Sequence, residues 1–142
     1  MQQAIKQTWH FSQPPEEVWE YLTKPELIEL WLMKTDFQPI VGHKFHFMHS
    51  PNNKSIYADS THCEVLEVVP FSKLVYSWNG GMKDGSRTYQ SKVVWTLIPK
   101  GNGTELHLEH DGFEVLEDVL NHTNGWISCL KKMEAHINRT EK

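Results

Sequence analysis

Only two cysteines, Cys63 and Cys129, occur in the 142 residues. That is too few for a disulfide framework or a thiolate metal cluster, and both thiols are expected to be reduced and structural, since free cysteine is among the most buried residue types. No apolar run approaches the length of a membrane-spanning helix, and Met1 to Trp9 has no apolar signal core. Stable membrane insertion and export are therefore not expected, and the chain reads as cytoplasmic. Excess positive charge is also missing. Fourteen Lys and Arg against 18 Asp and Glu give a net charge of −4, so nothing argues for a nucleic-acid partner. HExxH, CxxC, G-x-S-x-G and two-histidine-one-carboxylate spacings do not occur.

Nine histidines do not fill that gap. His43, His46 and His49 are spaced by three in a strand-like stretch, so successive side chains point to opposite faces. His107 and His110 point oppositely for the same reason. The sequence assigns no metal, no cofactor and no catalytic group.

What the chain does have is a globular composition, 39% hydrophobic and 23% charged, with six Trp, six Phe and four Tyr. No repeat or linker divides it, and its length suits one domain over residues 1–142. Residues 4–11 alternate loosely and predict a strand with Ile5, Trp9 and Phe11 inward. The run Pro14-Pro15-Glu16-Glu17 opens a short helix with Ser12 or Gln13 as its cap and Val18, Trp19 and Leu22 on its buried face. Thr23 to Glu26 reads as a capping box for a second helix carrying Leu27, Leu30 and Trp31.

From Asp36 the period changes to two. Phe45 and Phe47 alternate with polar neighbours, Ser50 to Asn53 form a turn cluster, and residues 56–69 hold one or two strands. Leu74, Tyr76 and Trp78 alternate up to Asn79-Gly80-Gly81, taken as the strand's end. Residues 88–98 and the segment from Leu106 flank a hairpin turn at Lys100 to Gly103. Residues 116–137 return to helical spacing, with a stripe of Leu116, Val119, Leu120, Thr123, Ile127, Leu130 and Ile137, and Trp126 and Met133 on its flank. Strands in one run with segregated helices predict an α+β fold. About six or seven antiparallel strands curve around a long C-terminal helix, and two short helices follow strand 1.

Taken together, "PPEEVWEYLTKPELIELWL", "GHKFHF", "CEVLEVVPFSKLVYSW", "GNGTELHLEHDGF" and "NGW" resemble, in order, the family named for the activator of the heat-shock protein 90 ATPase, within the START-like helix-grip superfamily. The resemblance spans about residues 4–138. It implies a curved sheet gripping the last helix with a cavity between them, and it makes Gly125-Trp126 a family feature. The chaperone activator carries a separate N-terminal domain that nothing before residue 4 supplies, so the short single-domain members are the better match.

The expected site follows from parity and from that resemblance. Phe45, Phe47, Trp78 and Trp95 face inward from the strands, and Ile127 and Leu130 face them from the helix. Tyr57, Tyr89, His110 and Thr123 supply polar tips, His110 either as a hydrogen-bonded core-edge residue or as an anchor at the cavity mouth. Such an aromatic face is either a plain core or the lining of an apolar pocket. The expected function is the binding of an apolar or amphipathic small molecule. A chaperone is the alternative partner, and a cyclase- or hydrolase-like enzyme using the same cavity is the further alternative. Gly125, costly in a helix by about 1 kcal/mol, falls on the polar side of the stripe. It is expected to give clearance to a neighbouring backbone or to allow a bend rather than to open a cavity.

Overall fold

In the computed structural model, which describes residues 3–49 and 53–139, the period changes become element boundaries. Strand β1 (Gln3–Phe11) leads into helices α1 (Pro15–Thr23) and α2 (Pro25–Trp31). Strands β2 (Lys34–Thr35), β3 (Lys44–Met48), β4 (Ser60–Val69), β5 (Lys73–Gly81), β6 (Thr88–Lys100) and β7 (Gly103–Phe113) follow, and helix α3 (Leu116–Arg139) closes the chain. The sheet order is β1-β7-β6-β5-β4-β3-β2, with every neighbouring pair antiparallel. The two short helices carry the chain from one edge strand to the other. The result is an α+β fold whose curled sheet wraps α3. Among the described residues no helix is long and apolar enough to cross a membrane.

The core lies between the concave face and the helices. Leu74, Trp95, Leu106 and Leu108 from the strands meet Leu130, Met133 and Ile137 from α3 and Ile28 and Trp31 from α2, all essentially inaccessible to water. Each such side chain contributes about 1.5–3 kcal/mol by leaving water. Within this layer the aromatic rings interlock edge-on, Trp31 with Trp95 at 6.0 Å between centroids and Phe45 with Tyr76 at 5.4 Å. The Trp95 indole N–H donates to the Tyr76 hydroxyl at 2.9 Å, so these two buried polar tips satisfy each other.

Several local expectations are corrected. Pro14 is the N-cap residue of α1, and Lys24 that of α2. Neither helix start has a side-chain cap, and the Thr23 hydroxyl bonds back to the Trp19 carbonyl at 2.8 Å. Ile28 and Trp31 are the buried residues of α2, whereas Leu30 is exposed. Asn79-Gly80-Gly81 closes β5 as expected, but as its last paired residues rather than as a turn. It continues the β5 ladder opposite Gln90, Tyr89 and Thr88. The turn cluster lies outside the described residues over positions 50–52.

Helix α3 is turned relative to the expected stripe. Val119, Trp126, Leu130, Met133 and Ile137 are buried, while Leu116, Leu120 and Ile127 are 56%, 55% and 36% exposed. The rotation has a physical cause. Asp118, His122 and Trp126, each four residues from the next, share one face, and each finds a polar partner below the helix. A template that counts only aliphatic residues scores two of these three as solvent-facing.

Candidate functional site: a cleft under the first half of helix α3

The interlocked rings do not fill the whole space between sheet and helix. A cleft of about 230 Å³ remains beneath the N-terminal half of α3. One wall is Asn121, His122, Gly125, Trp126 and Cys129 of α3. Leu32 and Met33, just after α2, form the second wall. His49, Ser55, Tyr57, Thr61, Trp78 and Tyr89 complete it from the strands and the loop before β4. Apolar and aromatic surface predominates, with polar groups at one end, the usual make-up of a small-molecule site.

In the cleft wall, Trp78 packs at 5.1 Å from Phe47 and 5.3 Å from Trp126. Its indole N–H has no acceptor among the described residues. It lies close enough to the Tyr89 hydroxyl to favour the phenolate slightly, against the larger upward push of burial on that phenol. Tyr89 can lie where it does because Gly80, its cross-strand partner, has no side chain. A Cβ there would come within 2.6 Å of the tyrosine oxygen.

The polar end is organised by Asp118, whose side chain is only 1% exposed. Arg87 forks onto it, Nε to Oδ2 at 3.2 Å and Nη2 to Oδ1 at 2.8 Å. The Tyr57 hydroxyl donates to Oδ1 at 2.7 Å and receives a bond from Asn121 Nδ2 at 3.2 Å. Burial alone would raise the Asp118 carboxyl. The bonds from Arg87 and Tyr57, with the guanidinium charge, outweigh it and hold the carboxyl below its ordinary value. Burial first, and the bond to Asp118 second, push the Tyr57 phenol up to about 12. His122 Nδ1 donates to the Asp118 backbone carbonyl at 2.9 Å, leaving Nε2 to accept from the Tyr89 hydroxyl at 3.3 Å. Burial lowers the His122 and His49 pKa values, so both imidazoles stay neutral near pH 7. With Asp118 matched by Arg87, the cleft presents no free charge from these groups. The Cys129 thiol is pushed up to about 11 by burial and is a poor nucleophile there.

His110 resolves the two readings left open for it. It is fully buried and both ring nitrogens are occupied. Trp126 Nε1 donates to Nδ1 at 2.9 Å, which places the ring proton on Nε2, 2.8 Å from Ser91 Oγ. The Ser91 hydroxyl in turn donates to the Trp78 carbonyl. Burial, with a smaller contribution from His122, holds the His110 pKa well below its ordinary value. His110 is a core residue that fixes the Trp126 ring and does not reach the cleft.

A pH prediction follows from its sign. The folded pKa is depressed, so this contribution to stability is present above the unfolded value near 6.5 and is lost as pH falls below it. Each proton taken up only on unfolding should cost about 1.4 kcal/mol per pH unit. Urea unfolding between pH 7.5 and 5 should show the decline, while ring nitrogen shifts keep native His110 neutral. A flat profile, or a native His110 that titrates near 6.5, would contradict this account.

The sequence-derived site residues therefore separate into groups. Tyr57, Trp78 and Tyr89 line the cleft. Phe45, Phe47, Trp95, His110 and Leu130 are packed into the core behind it. The Thr123 hydroxyl is spent on the Val119 carbonyl at 2.7 Å, and Ile127 faces outward. Gly125, expected to give clearance to a backbone or to allow a bend, has no atom within 4 Å of where a Cβ would sit, so clearance is not its role, and it lines the cleft. The residues that sequence reasoning missed include Leu32, Met33, His49, His122 and Trp126. The repeat of Asp118, His122 and Trp126 at four-residue spacing was the available signal. Among the described residues no three metal-ligating side chains converge.

A model of the family described as Activator of Hsp90 ATPase homolog 1-like protein matches residues 3–138. Among solved structures, protein MLL2253 from Mesorhizobium loti is 35% identical, with 99% of this chain and 100% of that chain covered and a TM-score of 0.89. CalU16 from Micromonospora echinospora is 22% identical over 94% of this chain and 75% of its own, at a TM-score of 0.72. The Aha1 dimer from Colwellia psychrerythraea is 14% identical over 99% of each chain, at a TM-score of 0.76. The last two are likenesses of fold. Among curated proteins no sequence matches.

Proposed function

This chain belongs to the activator of Hsp90 ATPase homolog 1-like family, and from that premise we propose that it binds a small, largely apolar molecule in the cleft under α3. One observation carries the reading. An interior otherwise packed with interlocking rings keeps a space of about 230 Å³ beside Gly125, at the one turn of α3 where a side chain has been dispensed with. A helix would gain from alanine at that position and nothing obstructs it.

The size favours a ligand of one or two rings, since drug-sized molecules occupy about 300–1,000 Å³. Trp78, Trp126, Leu32 and Met33 would contact its body, while Tyr57, Tyr89 and His122 would orient a polar end. A protein partner such as a chaperone would instead use an exposed surface. Leu116, Leu120 and Ile127 supply apolar area on the outer side of α3, away from the cleft.

The test uses indane and tetralin as probes. Both should change tryptophan fluorescence saturably, because Trp78 and Trp126 line the space. Both should raise the melting temperature by linkage, about 2.7 kcal/mol of stabilisation at a hundredfold excess over Kd. No saturable signal and no thermal shift with any one- or two-ring probe would remove the reading.

A further inference from the structure

We infer that Gly125 sets the width of this cleft and that the ligand is a flat, uncharged aromatic whose ring face lies against the bare helix turn there. The inference rests on the cleft being a binding site and names what fits it. Three observations point the same way.

The first is the glycine. It sits in the middle of a 24-residue helix, and its absent side chain is not needed for packing, because a Cβ would meet no atom within 4 Å. The space it leaves belongs to the cleft. A structural glycine relieves a close approach or adopts a positive φ. Gly125 does neither.

Ring geometry is the second. Trp78 and Trp126 lie 5.3 Å apart. Tyr57, Tyr89 and His122 meet one another edge-on at 5.0–6.0 Å around the far end. Walls of this kind offer ring faces and edges, which favour another ring over an alkyl chain of equal area. Met33 on the opposite wall adds a thioether, which also favours aromatic partners.

Charge is the third observation. The Asp118 carboxylate is matched by Arg87, and both cleft histidines are held in their neutral state by burial. A carboxylate or ammonium head group would enter this space without a partner for its charge. That disfavours fatty acids and amines and leaves neutral aromatics.

The experiment compares 2-methoxynaphthalene with decalin, its saturated two-ring counterpart, and with octanoate, on the wild type and on Gly125→Ala, by tryptophan fluorescence and calorimetry. The wild type should bind the planar probe about two- to tenfold more tightly than decalin and should bind octanoate least. Gly125→Ala should weaken 2-methoxynaphthalene by about tenfold or more, the effect of one added carbon in a filled pocket. It should also raise the melting temperature by about 2–4 °C, because it removes a mid-helix glycine.

Opposite signs of stability and affinity in one variant are the signature, since a purely structural glycine would lose both. Equal affinity for decalin or octanoate would overturn the inference, and so would full affinity in Gly125→Ala or a lowered melting temperature. In each of those cases probe binding itself would still stand. If no probe binds the wild type at all, the cleft reading fails and this inference with it.

Discussion

Leu130→Ala should destabilise the protein by about 2–5 kcal/mol, the range for removing a leucine side chain from a packed core. Leu130 is fully buried, on the face of α3 that carries Trp126, Met133 and Ile137. Its neighbours on the outer face provide the contrast. Leu120→Ala and Ile127→Ala remove similar aliphatic groups that are 55% and 36% exposed, so each should stay within about 0.5 kcal/mol. Urea unfolding of the three variants thus measures which way the helix is turned. Comparable losses at Leu130 and Leu120 would mean that the helix faces the sheet with the aliphatic stripe after all.

That contrast marks the limit of what the sequence alone conveys. The order of elements was legible because hydrophobic period and turn chemistry are local. Alternation at Phe45 and Phe47, the Gly101-Asn102 turn and the return to helical spacing after Phe113 each depend on a few consecutive residues. The inner face of α3 was not, because it depends on partners distant in sequence. Asp118 is buried only because Arg87, 31 positions earlier, forks onto it, and His122 because Tyr89 and the Asp118 carbonyl receive it. Once those pairings exist, burying a carboxylate and an imidazole is no longer prohibitive, and the exposed aliphatic residues are the consequence.

The site was blurred for a related reason. Strand parity says which side chains face the concave side, but not which of them are covered by a second layer. Trp78 and Trp95 share that parity on neighbouring strands. Only Trp78 reaches the cleft, because Trp31 of α2 covers Trp95. Glycine carries even less signal. The same residue type makes room for the Tyr89 hydroxyl at Gly80 and leaves a void at Gly125, a difference set by neighbours distant in sequence.

The largest loss is expected at Trp126, where core and cleft share one side chain. Its ring packs against Trp78 at 5.3 Å and Trp95 at 5.4 Å, and its N–H is bonded to His110 at 2.9 Å. Trp126→Ala should cost about 3–5 kcal/mol through the cavity alone and should merge that cavity with the cleft. Small aromatic probes would then bind deeper and with less selectivity in whatever fraction stays folded.

Trp126→Phe separates the two roles. It keeps a ring against Trp78 and Trp95 but withdraws the donor from His110 Nδ1, leaving a buried acceptor unsatisfied at a cost of about 1–3 kcal/mol. Protonation offers no relief, because burial keeps the ring neutral and phenylalanine supplies no acceptor for a second ring N–H. The loss should therefore be present at pH 7.5, where the ring still donates to Ser91 and leaves Nδ1 without a donor. Chemical denaturation of both variants, with His110 ring shifts as the local probe, checks this. If Trp126→Phe matches wild-type stability and the His110 resonances do not move, the indole bond is not what holds that ring. The fixed tautomer assigned to His110 would then have no basis.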